Sequence, residues 1–227
     1  MPVQLDKDRF VQFRYEPSYL ENDLEHQSDT KTVCKTNNIT PIFSSINLDG
    51  GNVVNWNGRA IVTDRIFQEN PEYSSKIQLI DELEKLLESQ IIVIPQIKSD
   101  LTGHADGMVR FLNHSTLIGN SLTQEYAYWR KGMTKILKDH NIDYIDVPII
   151  DHSDKKHPDT AVGCYVNFLE IGNLILIPVF EIEGNIDSEV IELFKTTYSD
   201  RIVETININE IGIYGGLLNC ISWTINE

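Results

Sequence analysis

Four short segments carry side chains able to do chemistry. YGGLLNCISWTINE, near the end of the sequence, holds Cys220 behind Gly215 and Gly216. DLTGHADGMVRF offers Asp100, His104 and Asp106, LDGGNVV offers Asp49, Gly50, Gly51 and Asn52, and GCYVNFL offers Asn167. A thiol, an imidazole and a carboxylate brought together would supply a nucleophile, an acid–base partner and an anchor for substrate charge. Taken singly, each has an ordinary structural reading. A cysteine in an apolar segment behaves as a small buried hydrophobe. A histidine two residues from an aspartate is a turn, GGN is a turn, and an asparagine in a strand is a buried hydrogen-bonding group.

What joins them is their place in a repeating pattern. Paired strand-like runs with tight polar turns occur at NVVNWNGRAIVTD, MVRFLNHSTLIGN and CYVNFLEIGNLILIPVF, with Asn-Gly or Gly-Asn at two of the turns. A helix is predicted after each pair. SSKIQLIDELEKLLES sets Ile77, Ile80, Leu83 and Leu87 at helical spacing behind a Ser74 or Ser75 cap. TQEYAYWRKGMTKILKDHN offers Tyr126, Trp129, Met133, Ile136, Leu137 and His140 on one broad face, and DSEVIELFKTTYSD carries Val190, Ile191 and Phe194 behind Asp187 or Ser188. One apolar strand then closes each copy: IIVIP, YIDVPII and RIVETINI. The copies recur every fifty to sixty residues or about that, a period typical of repeat architectures.

The N-terminal stretch reads as a fourth copy, with VQLDKDRFVQFRY as hairpin, SDTKTVCKTNN as a weak helix and ITPIFSS as closing strand. GGLLNCISWTI reads as the opening strand of an unfinished fifth. No linker or low-complexity tract separates the copies, so residues 1–227 are expected to form a single α/β domain of ββαβ units around an axis. The four chemistry-bearing segments precede or open the first strand of their copies. Equivalent positions in a rotational repeat converge on the axis.

Composition limits the partners. The 227-residue chain has a formal net charge of -15, opposite to that of a protein tracking a nucleic-acid backbone, and its field would attract cations. Hydrophobic residues make up 41%, ample for a core. No apolar run is long enough to span a bilayer. The MPVQLDKDRF start lacks the pattern of a signal peptide. Cys34, Cys164 and Cys220 are few and show no CxxC spacing, which fits a reducing cytoplasm better than a disulfide framework or zinc site.

At these motifs the chain resembles the guanidino-group-modifying enzymes of the pentein fold, in the branch holding agmatine deiminases and the Porphyromonas-type peptidylarginine deiminase. LDGGNVV, TGHADGMVRF, YVNFLEIGN with ILIPVF, and GGLLNCIS stand in the family's order over most of the chain. The resemblance implies a five-fold pseudo-symmetric ββαβ propeller. It implies Cys220 as nucleophile, His104 as general acid and base, and Asp106 as the carboxylate that binds guanidinium nitrogens. Asn167 would support the substrate end of the pocket, and Asp49, Gly50, Gly51 and Asn52 would shape its wall, with no catalytic step assigned to Asp49. The implied substrate is a cationic guanidino small molecule, most simply agmatine hydrolysed to N-carbamoylputrescine and ammonia. No metal or organic cofactor is needed. No nucleic-acid or membrane partner is expected, and a homodimer is allowed.

The likeness departs at three places. The family carries a further substrate aspartate in a motif such as RDYMP or RDTGP, whereas this sequence begins Met1-Pro2, at the methionine of that motif. The expectation is that an upstream segment completing the fifth blade is missing. If the short form is natural, it should pair with another chain or lack activity. Asn219 stands before the cysteine where agmatine deiminases typically have histidine, and Leu217-Leu218 follow the glycine pair in place of a third glycine or a polar residue. These changes bear on the substrate more than on the chemistry. Arginine at a peptide terminus is a close alternative substrate. A non-catalytic binding module of the pentein type and a cysteine peptidase using Cys220 and His104 are alternatives of other classes.

Overall fold

The computed structural model describes residues 1–152 and 156–226. Its contacts define two compact units, Met1–Ala105 with the residues from Ile225 onward, and Asp106–Thr224.

The first unit holds two modules of the same design. One comprises β1 (Val3–Gln4), β2 (Phe10–Arg14), α1 (Thr30–Thr36) and β3 (Ile42–Asn47). The other comprises β4 (Val54–Trp56), β5 (Arg59–Thr63), a short α2 (Ile66–Glu69), α3 (Lys76–Leu87) and β6 (Gln90–Ile94). In each, the first two strands pair antiparallel and the third lies parallel to the second. The chemistry of the connections dictates this order. Asn57 and Gly58 both adopt positive φ, 40° and 82°, the backbone a two-residue hairpin turn requires. The parallel return needs a longer crossover, which the helix supplies.

Ser75 caps α3 by accepting the Gln78 N–H at 3.1 Å, as its sequence position predicts. The buried stripe of α3 is Leu79, Leu83 and Leu87, packed with Val11, Phe13, Ile46, Ala60 and Val62 in one core. Each leucine of the stripe contributes about 1.5–3 kcal/mol when fully buried. Ile77, expected on this face, is 73% exposed. At about 100° per residue it lies two positions, more than half a turn, from Leu79.

The second unit repeats the design twice. β7 (Val109–Asn113), β8 (Thr116–Asn120), α4 (Ala127–Asp139) and β9 (Asp143–Val147) form one module. β10 (Leu169–Ile171), β11 (Leu174–Val179), α5 (Asp187–Thr197) and β12 (Ile202–Asn207) form the other, followed by a short α6 (Asn209–Gly212). The pairing is again antiparallel, then parallel. Trp129, Met133 and Leu137 are the buried face of α4, while Tyr126 is exposed and stacks on Tyr128. Asp187 does not cap α5. Its carboxylate accepts the Tyr165 hydroxyl at 2.7 Å and the backbone N–H groups of Phe180 and Glu181. Among the described residues the chain is thus a mixed α/β protein with four three-stranded sheets, each part antiparallel and part parallel.

Two sequence expectations need correction. Asn167 sits in a bend before β10, not in a strand, and Leu218–Ile221 form a turn, not the opening strand of a further module. The reason lies in where the backbone donors go. The Ile221 N–H reaches Leu217 O and the Ser222 N–H reaches Asn219 O. The N–H groups of Asn219 and Cys220 both go to the Asn167 side chain, so these bonds consume the donors that a strand would give to a neighbour.

Candidate active site

In the first unit the chemistry gathers at the entrances to strands. Asp49 ends the extended segment after β3 and precedes a 3₁₀ turn, Gly50–Asn52, that leads into β4. Gly50 and Gly51 belong to this turn, and the Asn52 side chain ties it down. Its Oδ1 accepts the N–H of Thr63 at 2.9 Å and of Ala105 at 3.3 Å. The Thr63 hydroxyl in turn donates to Gly103 O at 2.8 Å. Asp100 Oδ1 takes the N–H groups of Thr102 and Gly103 at 2.8 and 2.9 Å. The residues on both sides of His104 are therefore fixed.

The imidazole meets a carboxylate there. His104 Nε2 lies 2.6 Å from Asp49 Oδ2, and the two side chains are only 14% and 10% exposed. An ionised carboxylate can only accept, so Nε2 carries the proton of this bond. Tyr19 donates its hydroxyl to the same Asp49 Oδ2 at 2.8 Å, and its ring meets the His104 ring edge-on at 6.1 Å. Burial, and secondarily the Asp49 charge, pushes the Tyr19 phenol far above its ordinary range, so it stays a donor.

In the second unit the thiol and the other carboxylate are linked by one asparagine. Asp106 lies in a 3₁₀ turn, Ala105–Gly107, and is 2% exposed. A carboxylate at that depth requires donors. Asn219 Nδ2 supplies one to Asp106 Oδ2 at 2.7 Å. The next residue is Cys220, which is exposed. Asn167, 3% exposed, holds the turn from below, its Oδ1 accepting Asn219 N–H at 3.0 Å and Cys220 N–H at 3.2 Å. A planar guanidinium fork matches a carboxylate, and a thiolate is the nucleophilic form of cysteine. This unit therefore carries a buried carboxylate, the group a guanidinium pairs with, and, next in sequence to that carboxylate's asparagine donor, an exposed thiol.

The sequence profile of the Porphyromonas-type peptidyl-arginine deiminases matches residues 1–225. The chain belongs to this family. No curated protein matches it. Solved structures show the same fold at low identity. A cysteine-to-serine variant of C. jejuni agmatine deiminase with substrate bound is 18% identical with a TM-score of 0.76, covering 93% of this chain and 66% of its own. Enterococcus faecalis agmatine deiminase is 17% identical with a TM-score of 0.74, covering 94% and 68%. A Porphyromonas gingivalis protein taken to be an arginine deiminase is 18% identical with a TM-score of 0.75, covering 93% and 68%. The chain spans about two thirds of the length of these structures. Family and fold thus place it among guanidino-group deiminases, enzymes acting on C–N bonds.

Sequence reasoning placed Asp49 only in the pocket wall. The structure makes it the hydrogen-bonding partner of His104. Two further residues went unassigned. Tyr19 lies in a 3₁₀ turn, Ser18–Leu20, with no motif, and only the structure shows its bond to Asp49. Asn219 was visible as a departure from the family pattern, but its bond to Asp106 spans 113 positions. Among the described residues, Asp23, Glu25 and His26 form an exposed group of potential metal ligands at a short 3₁₀ turn, Leu24–His26, of the first unit. No helix among the described residues is long and apolar enough to cross a membrane.

Proposed function

We propose that the chain is a deiminase of a free guanidine, with agmatine hydrolysed to N-carbamoylputrescine and ammonia, built on the pentein-type propeller that its family resemblance implies. The observation that carries this reading is the bond from Asn219, the residue before Cys220, to the buried carboxylate of Asp106. It couples a cation anchor to a thiol. The reading is supported by the shared fold with a cysteine-to-serine variant of the C. jejuni agmatine deiminase that has substrate bound.

Cys220 is the nucleophile, His104 the acid and base, and Asp106 the guanidinium anchor. Asn167 fixes the Cys220 turn, and Asn52 fixes the backbone beside His104. Asp49 orients His104, with Gly51 shaping the adjoining turn. The substrate cation favours thiolate over thiol. The thiolate adds to the guanidinium carbon and forms a C–S bond. His104 then gives a proton to one nitrogen, the C–N bond breaks and ammonia departs, leaving a thiouronium on Cys220. His104 next takes a proton from water as its oxygen attacks the same carbon. The C–S bond breaks, the thiolate is restored and a ureido product leaves. Water and guanidine thus yield ureido compound and ammonia, with no redox change.

The exposure of Cys220 favours one second reading, arginine at a peptide terminus. The test is to supply the purified chain with agmatine, arginine and an arginine-ended peptide and to measure ammonia and ureido product. Agmatine is expected to give both in equal amounts. Turnover of the peptide alone would favour the second reading, and turnover of none of the three would leave a binding module.

A further inference from the structure

We propose that Tyr19 is a positioning residue for His104, acting through the one oxygen of Asp49 that both of them use. This rests on the reading of His104 as the acid–base group. Tyr19 Oη and His104 Nε2 converge on Asp49 Oδ2, at 2.8 and 2.6 Å. Two donors on one carboxylate oxygen share its charge, so each bond is weaker than it would be alone. Tyr19 therefore does two things. It sets the rotamer of Asp49, and it limits how tightly Asp49 grips the imidazole that must move protons.

Tyr19 is itself anchored from α2. The Arg65 guanidinium lies over its ring at 5.3 Å. Arg65 pairs with Glu69 one helical turn on, at 3.0 Å, and both side chains are largely buried. Each reaches the residue before Tyr19. Arg65 donates to Ser18 Oγ at 3.1 Å, while Glu69 accepts the Ser18 hydroxyl at 2.6 Å and its N–H at 3.0 Å. A contact chain thus runs from the Arg65–Glu69 pair through Ser18 and Tyr19 to Asp49 and His104. Every member lies in the first unit. A tyrosine that merely filled space would need neither the hydroxyl bond to Asp49 nor the cation over its ring.

The test uses the full chain with Tyr19→Phe, which keeps the ring and removes the donor. The proton on His104 Nε2 is followed by proton NMR and identified by its disappearance in His104→Gln. With Asp49 Oδ2 accepting from His104 alone, this signal is expected to move downfield. In the same variant kcat is expected to fall about tenfold while KM stays within about twofold. Ser18→Ala loosens the 3₁₀ turn that carries Tyr19 without touching Asp49 and should move the signal the same way by less. A signal that stays in place in both variants overturns the inference, whether or not a guanidine is turned over. A shifted signal in a chain that never turns over a guanidine upholds the role of Tyr19 and overturns only the functional reading.

Discussion

Asn219 donates its side-chain amide to Asp106 at 2.7 Å from the position immediately before Cys220. One residue thereby connects the proposed guanidinium anchor to the segment that presents the proposed nucleophile. Loss of a hydrogen bond to a buried charged group costs about 1.5–3 kcal/mol. Asn219→Ala is therefore expected to raise KM for agmatine by about ten- to hundredfold, because the buried carboxylate proposed to hold the guanidinium loses a donor. Steady-state kinetics checks this. A fall in kcat with KM unchanged would place Asn219 in the chemical step instead.

Asn167 accepts two backbone N–H groups with one oxygen, from Asn219 and Cys220. Asn167→Ala leaves both without that partner. The expected loss is about 1–3 kcal/mol, which lowers Tm by several degrees in a chain of this size. Asn167→Asp keeps an oxygen where Oδ1 stands and should retain most of that stability. Equal losses in the two variants, measured by thermal unfolding, would show that the acceptor is not what matters.

The α3 face gives a contrast within one helix. Leu83 is fully buried in the first-unit core, and Ile77, with a similar side chain, is 73% exposed. Leu83→Ala should cost about 2–5 kcal/mol and Ile77→Ala less than about 0.5 kcal/mol. Denaturant titration of the two variants decides whether the stripe is Leu79, Leu83 and Leu87 or the one expected from the sequence.

Several phenols are raised by the fold, and the sign of their linkage is fixed. Burial holds Tyr144, Tyr165 and Tyr198 above the ordinary value, and burial with Glu82 raises Tyr73 to about 12. A group whose pKa is raised in the folded state contributes stability that is fully present below its unfolded pKa of about 10, and that is lost as pH climbs through the folded value. The urea midpoint should therefore be insensitive to these groups below about pH 9.5 and fall steadily above about pH 10. A midpoint rising through that alkaline window would contradict the assignment.

Much of this architecture was legible because it is local. Asn57-Gly58 announces a hairpin turn, Ser75 announces a helix start, and the strand, strand, helix, strand order recurs in four copies, each of which the structure builds as its own sheet. The placement of the candidate site residues was legible for the same reason, since Asp49, His104, Asp106 and Asn167 all stand in connections that enter a module. What stayed hidden depends on distant partners. GGLLNCISW has strand-forming composition, but Asn167, more than fifty positions away, takes the N–H groups of Asn219 and Cys220 and holds the segment as a turn. Tyr19 carries no local signal, because its role comes from meeting Asp49 thirty positions later.

In the proposed reaction Cys220 forms a covalent bond to the guanidinium carbon. Acid quenching of the full chain during turnover of agmatine, followed by intact mass and peptide mapping, tests it most directly. The expected result is an adduct on Cys220 with the mass of the substrate less one ammonia, and neither adduct nor ureido product with Cys220→Ala. Ureido product formed at an undiminished rate by Cys220→Ala would contradict the account.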